Sequence, residues 1–204
     1  EMCIRDRFKA DDGPKVFEWV EGTKRLFRRL EKLGRPVVAC IEGAALGGGW
    51  EFALAAHCRI VMDDPKIQLG TPEVTLGLIP GAGGITKTVR ILGLQAAFPY
   101  LMEGKTFGPQ EAAKLGLIHG LAATKDDLFR MAREWIAANP GAKQPWDDEK
   151  YKIPGGGANH PAVMQMLAIG PAMLVDKTRG LYPAPEATMA AAVEGSIVDF
   201  DTAM

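Results

Sequence analysis

Serine and cysteine are scarce in this chain, and each scarcity excludes a class of chemistry. The only serine, Ser196, lies in the sequence EGSIVD rather than in a G-x-S-x-G turn, which argues against a serine nucleophile. The three cysteines, Cys3, Cys40 and Cys58, are odd in number and form no C-x-x-C pair. A disulfide framework and a zinc site are therefore not expected, and a reducing cytoplasm is the default location.

An excess of one charge and long apolar runs are also missing. The formal net charge of −1 over 204 residues argues against a nucleic-acid partner. No apolar run reaches the ~18 residues of a membrane-spanning helix, and the chain does not open on a signal-peptide pattern. His57, His119 and His160 are widely spread and show no ligand spacing, so no metal site is expected.

The most informative segment is 36–84, which places two glutamates beside glycine-rich turns in apolar surroundings. Glu51 follows the sequence LGGGW, and Glu73 lies in LGTPEV. Paired carboxylates in such surroundings indicate acid/base chemistry. The alternatives are a solvent-facing helix position for Glu51 and a charge at a strand edge for Glu73.

The backbone around these glutamates is predicted to form an oxyanion site. Residues 36–41 (PVVACI) predict a buried strand, and the glycines at 47–49 allow a sharp turn into a helix over 50–56. The free N–H groups at the start of that helix, reinforced by its dipole, suit a developing oxyanion.

The remaining pattern predicts an α/β fold. Helices are expected over 14–33, 83–92, 108–115 and 126–138, the last with a cap near Thr124. Strands are expected over 36–41, 67–69 and 73–76, and another strand ends at residue 61. We divide the chain into a non-native or disordered start (1–12), a core (13–140), a connection (141–161) and a helical region (162–204). The glycines at 81–84 lack the third glycine of a dinucleotide fingerprint, so no nicotinamide site is expected.

Two segments, GAALGGGWE and LGTPEVTLGLIPGAGG, resemble the crotonase (enoyl-CoA hydratase/isomerase) superfamily. Glu51 and Glu73 are 22 residues apart, and this spacing resembles the hydratase part of the multifunctional fatty-acid oxidation proteins, which also carry a 3-hydroxyacyl-CoA dehydrogenase. The resemblance implies an α/β crotonase-like spiral of ββα units with C-terminal helices.

The resemblance also implies an activity and the residues that perform it. A trans-2-enoyl-CoA would be hydrated in fatty-acid β-oxidation, with Glu51 and Glu73 as the catalytic pair and Gly48 as one N–H donor of the oxyanion hole. The implied substrate contacts are Gly47, Gly49, Trp50, Pro80 and Gly81, although Trp50 could instead pack in the core. Two carboxylates favour hydration; the alternatives are a Δ3,Δ2-enoyl-CoA isomerase and a non-catalytic crotonase-like interaction subunit.

Cofactors and partners follow from the same resemblance. Coenzyme A is part of the substrate, no cofactor is needed, and NAD would serve only a downstream dehydrogenase domain. A thiolase subunit and a second copy of the chain are the implied protein partners. The superfamily's F-x-A-G-A-D loop, which supplies the other oxyanion donor, is absent from this sequence, and residues 190–204 resemble the helix that precedes the dehydrogenase. We therefore expect an interior piece of a longer protein, without the N-terminal part of the fold and inactive alone.

Overall fold

The structure is a computed structural model that describes residues 12–204. The predicted non-native start at 1–12 lies, except for its last residue, outside the described residues. Helix α1 (Gly13–Glu31) forms where the amphipathic pattern predicts it and has a proline in its first turn, where the missing N–H has no helical partner to lose. Its Glu31 is buried.

Parallel strands form the centre of the α/β architecture, which confirms the predicted fold class. Strands β1 (Val38–Ile41), β3 (Cys58–Met62) and β5 (Gly120–Ala122) form a parallel sheet in the order β1-β3-β5, with Val38 opposite Cys58. Strands β2 (Ala45–Leu46) and β4 (Leu69–Gly70) form a second parallel pair. The short strands β2 and β5 were not predicted.

Helix α2 (Gly48–Ala55) follows the glycine-rich turn as predicted, but it begins at the second glycine rather than at Trp50. The prediction of a strand over residues 73–76 is wrong, because Pro72–Leu76 is a 3₁₀ helix. Pro72 fixes a helical φ at the start of this element, and Gly77 ends it in the left-handed region at φ 72°. Glu73 therefore lies in a helical turn that directly follows β4.

Helices dominate the second half of the chain. Helix α6 (Lys125–Ala138) is capped by Thr124, whose Oγ1 accepts a hydrogen bond from the Asp127 N–H at 3.1 Å, as the sequence predicts. Segment 141–161 contains only a 3₁₀ turn, Pro145–Asp147, before the last helices begin. The other helices are α3 (Gly84–Leu92), α4 (Leu94–Leu101), α5 (Pro109–Lys114), α7 (Pro161–Thr178), α8 (Pro183–Gly195) and α9 (Phe200–Ala203).

The buried apolar side chains of the described residues form separate clusters. One cluster packs α2 and α5 against the strands and includes Trp50, Leu54, Val61, Leu69 and Phe107. Another joins α3 and α4 to α7 and α8. Among residues 12–204, no helix is both long and apolar enough to cross a membrane.

Candidate active site

Glu51 lies in the first turn of α2 and is 3% exposed, which excludes the solvent-facing alternative. Its Oε1 accepts hydrogen bonds from the backbone N–H of Ala82 at 2.7 Å and of Gly84 at 2.8 Å. Burial raises the pKa of Glu51, while these two N–H groups and the charge of Lys87 act in the opposite direction. The carboxyl group is thus buried, but it is held by donors that favour its charged form.

Glu73 lies in a different environment, within the 3₁₀ helix. Its Oε2 is buried and has no hydrogen-bond partner among the described residues. Burial, followed by the repulsion of Glu51, raises the pKa of Glu73 to about 7, and only its own backbone N–H opposes this. Glu73 is therefore a carboxyl group that holds its proton up to near neutral pH, while two backbone N–H donors oppose the rise in the pKa of Glu51.

The glycine-rich turn brings exposed backbone next to these carboxyl groups. Gly47 has φ 56°, a conformation that L side chains rarely adopt, and a Cβ added there would lie 3.0 Å from the Glu73 Oε1. The Gly47 N–H donates to the Gly70 carbonyl at 2.9 Å, which ties the turn to β4. This contact between the turn and Glu73 explains why residue 47 is a glycine.

Gly48 and Gly49 are exposed, and their amides have no hydrogen-bond acceptor in the described part of the chain. A Cβ added at either residue would meet no protein atom within 4 Å. Free N–H groups at the positive end of an eight-residue helix can donate to an anionic oxygen. The geometry therefore permits the oxyanion role predicted for Gly48.

Pro80 and Gly81 lead into the turn that holds Glu51. Pro80 is buried, and a Cβ at Gly81 would contact Val20 of α1 at 3.7 Å. A Cβ at Gly84 would lie only 2.9 Å from the Glu51 Oε1. The turn at 82–84 therefore positions the carboxyl group of Glu51, while the substrate contacts predicted for Pro80 and Gly81 stay predictions.

Trp50 packs in the core, which is one of the two roles considered for it. Its side chain is 1% exposed, and its ring contacts Phe107 edge-on with 5.4 Å between centroids. Phe107 makes the same kind of contact with Tyr100. The structure thus favours support of α2 from beneath over direct contact with a substrate.

Two buried charged residues next to this site were not predicted. The Lys87 Nζ on α3 lies 2.8 Å from the Glu31 Oε1 on α1, and both side chains are 0% exposed. The available signal was a lysine within the apolar pattern GGITKTVRIL, which forms a helix whose residues from Gly84 to Arg90 are all buried. Its partner is distant in sequence and could not be identified from spacing.

His57 and His119 interact with groups of the surrounding chain. The Val37 N–H donates to the Nδ1 of His57, whose Nε2 lies 2.9 Å from the Glu31 carbonyl oxygen. Burial, aided by Arg59, lowers the pKa of His119 to about 4. Within residues 12–204, no group of three His, Cys, Asp or Glu side chains is arranged to hold a metal.

Comparisons with known proteins identify the family of this chain. Residues 15–142 match the enoyl-CoA hydratase/isomerase family. The "Fatty acid oxidation complex subunit alpha" of Shewanella sp. (strain ANA-3) is 38% identical over 162 residues, which cover 78% of this chain. The chain spans 22% of that relative's length.

Solved structures with the same fold include enoyl-CoA hydratases. The enzyme from Bacillus anthracis has a TM-score of 0.56 and 29% identity, over 91% of this chain and 64% of the other. The enzyme from Thermoplasma volcanium GSS1 has a TM-score of 0.58 and 28% identity, over 62% of this chain and 50% of the other. These similarities confirm the crotonase-like α/β fold.

Proposed function

Because the chain belongs to the enoyl-CoA hydratase/isomerase family, we propose that, as part of a multifunctional enzyme, it catalyses the hydration of trans-2-enoyl-CoA to 3-hydroxyacyl-CoA in fatty-acid β-oxidation. One observation carries this proposal: Glu51 lies close enough to Glu73 to help raise its pKa, and the Glu51 Oε1 accepts two backbone hydrogen bonds, whereas the buried Glu73 Oε2 has no partner among the described residues. A charged carboxylate beside a protonated carboxyl group is the pair that addition of water requires.

The proposed reaction adds a hydroxyl group to C3 and a proton to C2. Glu51 accepts a proton from the water as its oxygen bonds to C3, and the C2=C3 double-bond electrons move toward the thioester carbonyl. Glu73 then delivers its proton to C2 as the enolate collapses. A proton passed from Glu51 back to Glu73 restores the starting state, so no external oxidant or reductant is consumed.

The enolate oxygen needs hydrogen-bond donors while it carries charge. The free and exposed Gly48 N–H at the start of α2 is a donor suited to this oxygen. A donor that is already in place costs no reorganisation when charge develops, and one such donor is typically worth ~10²–10³ in rate. Gly47 and Gly49 keep side chains away from this position.

The proposal extends to ligands and partners. An acyl-CoA thioester is the substrate, the hydration itself needs no cofactor, and NAD would serve only a dehydrogenase part of a multifunctional enzyme. A thiolase subunit and a second copy of the chain are the proposed protein partners, supported by the relative's name as a subunit of a complex. We place the protein in the cytoplasm.

Incubation of the proposed multifunctional enzyme with crotonyl-CoA in H₂¹⁸O tests the proposal directly. Hydration puts one label into the 3-hydroxy product, while a Δ3,Δ2-enoyl-CoA isomerase moves the double bond without incorporating water. A non-catalytic interaction subunit would bind without turnover. Unlabelled product or no turnover would therefore replace the proposal with one of these alternatives.

Substitution of the pair identifies the catalytic groups. Glu51→Gln and Glu73→Gln should each lower kcat by ~10²–10⁴, because a positioned acid or base contributes about that factor. The matched control is Glu149→Gln, which changes an exposed carboxylate and should leave turnover unaltered. Near-normal turnover in either folded site variant would remove that residue from the mechanism.

A further inference from the structure

The Lys87–Glu31 ion pair is fully buried, and its contribution to stability does not explain why it is kept there. Both side chains are 0% exposed, and ion pairs with that burial lose most of their Coulombic gain to desolvation. The pair also draws in further groups, because Arg28 Nη1 donates to the Glu31 Oε2 at 2.7 Å and Trp146 Nε1 donates to it at 3.3 Å. A buried charge kept under these conditions suggests a specific use.

The Lys87 side chain contacts the turn that holds the catalytic carboxyl group. A Cβ built on Gly83 would lie 3.3 Å from the Lys87 Cε, so the lysine stem packs directly against Gly83. Gly83 stands between Ala82 and Gly84, the two residues whose N–H groups bind the Glu51 Oε1. The backbone N–H of Lys87 also donates to the Gly83 carbonyl at 2.9 Å.

The ammonium group of Lys87 is paired with Glu31 and acts on Glu51 through its charge. Glu31 and Arg28 face it from α1, and Glu51 faces it from α2. Arg28 is itself paired with Asp147 and Asp201. Two charged groups interact with Glu51. The positive charge of Lys87 favours the ionised form of Glu51, and Glu73 is the neighbouring carboxyl group that Glu51 repels.

We propose that the buried Lys87–Glu31 pair is a positioning pair, in which Glu31 anchors Lys87 against the turn at 82–84 so that Glu51 stays fixed near a buried positive charge. The catalytic consequence rests on the function proposed above, but the effect on Glu51 itself does not. Lys87 touches no reacting atom and acts through the turn and through its charge. Because α1 supplies Glu31, this helix becomes part of the catalytic support.

The direct test measures the ionisation of Glu51. The side-chain carboxyl groups are observed by ¹³C NMR during a pH titration. The Glu51 signal is identified by its loss in Glu51→Gln. In Lys87→Met the Glu51 pKa should rise further, because the positive charge that opposes this rise is gone, whereas Lys87→Arg should keep it close to the native value. The matched control is Lys105→Met, which removes an exposed, ion-paired lysine from another part of the surface.

Lys87→Met leaves the buried charge of Glu31 without its lysine, and this could unfold the protein. A second variant therefore removes both charges. The double variant Glu31→Gln/Lys87→Met removes both charges and keeps an amide oxygen for Arg28 and Trp146. The Glu51 pKa should rise in this variant as well. An unchanged Glu51 pKa in a folded Lys87→Met or double variant would overturn the proposal.

Activity provides the second readout and separates the two proposals. The acid limb of the kcat/KM profile should move to higher pH in Lys87→Met, with a loss of about 10–10² at neutral pH from misplacement of Glu51, and Lys87→Arg should restore most of it. A native enzyme that hydrates crotonyl-CoA, with an unmoved pH profile in Lys87→Met, would contradict only the positioning role. A native protein without hydratase activity would contradict only the function, because the NMR titration does not depend on turnover.

Discussion

At the scale of single residues, the environment of Glu73 works against stability. Its pKa is about 7 in the folded protein against a usual 4.5, so the folded state binds more protons between these values. Stability should therefore fall as the pH rises from about 4.5 to about 7 and change little from this group above that. In the proposed reaction this residue is the acid, which would account for a buried oxygen without a hydrogen-bond partner among the described residues.

Glu73→Gln should consequently stabilise the protein at alkaline pH. The amide cannot ionise, so at pH 8 the variant avoids a buried negative charge, worth about 1–2 kcal/mol after discounting for the partial exposure of Glu73. At pH 4 the native side chain is protonated, and the two proteins should unfold at similar urea concentrations. Urea unfolding of both proteins at the two pH values measures this, and a variant that is less stable at pH 8 would contradict the raised pKa.

Gly48 offers a second test at the scale of one residue. A Cβ there meets no protein atom within 4 Å, and its φ is not positive, so Gly48→Val should fold normally. The side chain would nevertheless occupy the space in front of the free amide, and hydration should fall by ~10²–10³, the typical value of one oxyanion donor.

The matched control for Gly48→Val is Gly22→Ala in α1, where an added Cβ also meets nothing within 4 Å. This variant should keep full activity and gain roughly 0.5–1 kcal/mol of helix stability. Hydration rates and thermal unfolding of both variants provide the comparison. Normal hydration by Gly48→Val would place the oxyanion donor elsewhere.

At the scale of elements, α2 depends on a side chain from the segment between α6 and α7. Gln144 is 2% exposed, and its Nε2 donates to the carbonyls of Ala55 at 3.0 Å and Ala56 at 3.2 Å. These carbonyls at the C-terminal end of α2 have no later helical turn to bind. One side chain thus holds the end of the helix that carries Glu51.

Gln144→Ala should destabilise the protein by about 1–3 kcal/mol, because buried carbonyls lose their donor. Gln110→Ala removes an exposed hydrogen bond to Asp63 and should cost little, so it serves as the control. Chemical unfolding of the two variants gives the difference. Equal stability of the two variants would mean that α2 does not need this cap.

The elements that could be predicted are those whose signals are local. Helix α6 was predictable because Thr124 caps it and its apolar residues recur at helical spacing. Helix α4 was not predicted, since Pro99 interrupts its pattern in the last turn. The 3₁₀ helix at Pro72–Leu76 was predicted as a strand because its β-branched residues suggested one, whereas Pro72 and Gly77 decide its conformation.

The side chains of the candidate site could be predicted from local signals, but the groups that position them could not. Glu51, Glu73 and Gly48 stand out because each lies beside glycines in an apolar segment. The donors that hold Glu51 are backbone N–H groups of Ala82 and Gly84, and no residue type signals a backbone donor. The contact between Glu31 and Lys87 is long-range, so no periodicity within either helix could reveal it.

At the scale of the whole molecule, α7 has more apolar surface than its packing uses. Val163, Gly170 and Leu174 face the neighbouring helices, but the opposite side is also apolar and exposed, with Ile169 at 57% and Met173 at 52%. A helix that is apolar on all sides is normally buried on all sides. We therefore expect the outer face of α7 to be covered when the protein associates.

Purified protein should accordingly show concentration-dependent self-association in sedimentation velocity, because exposed apolar patches favour contact between copies. The double variant Ile169→Gln/Met173→Gln should shift the distribution toward the monomer while helix content by circular dichroism stays the same. Gln165→Ala, an exposed polar position on the same helix, is the control and should sediment like the native protein. If the native protein is monomeric at every concentration, or if the double variant associates as strongly as the native chain, the outer face of α7 does not drive association.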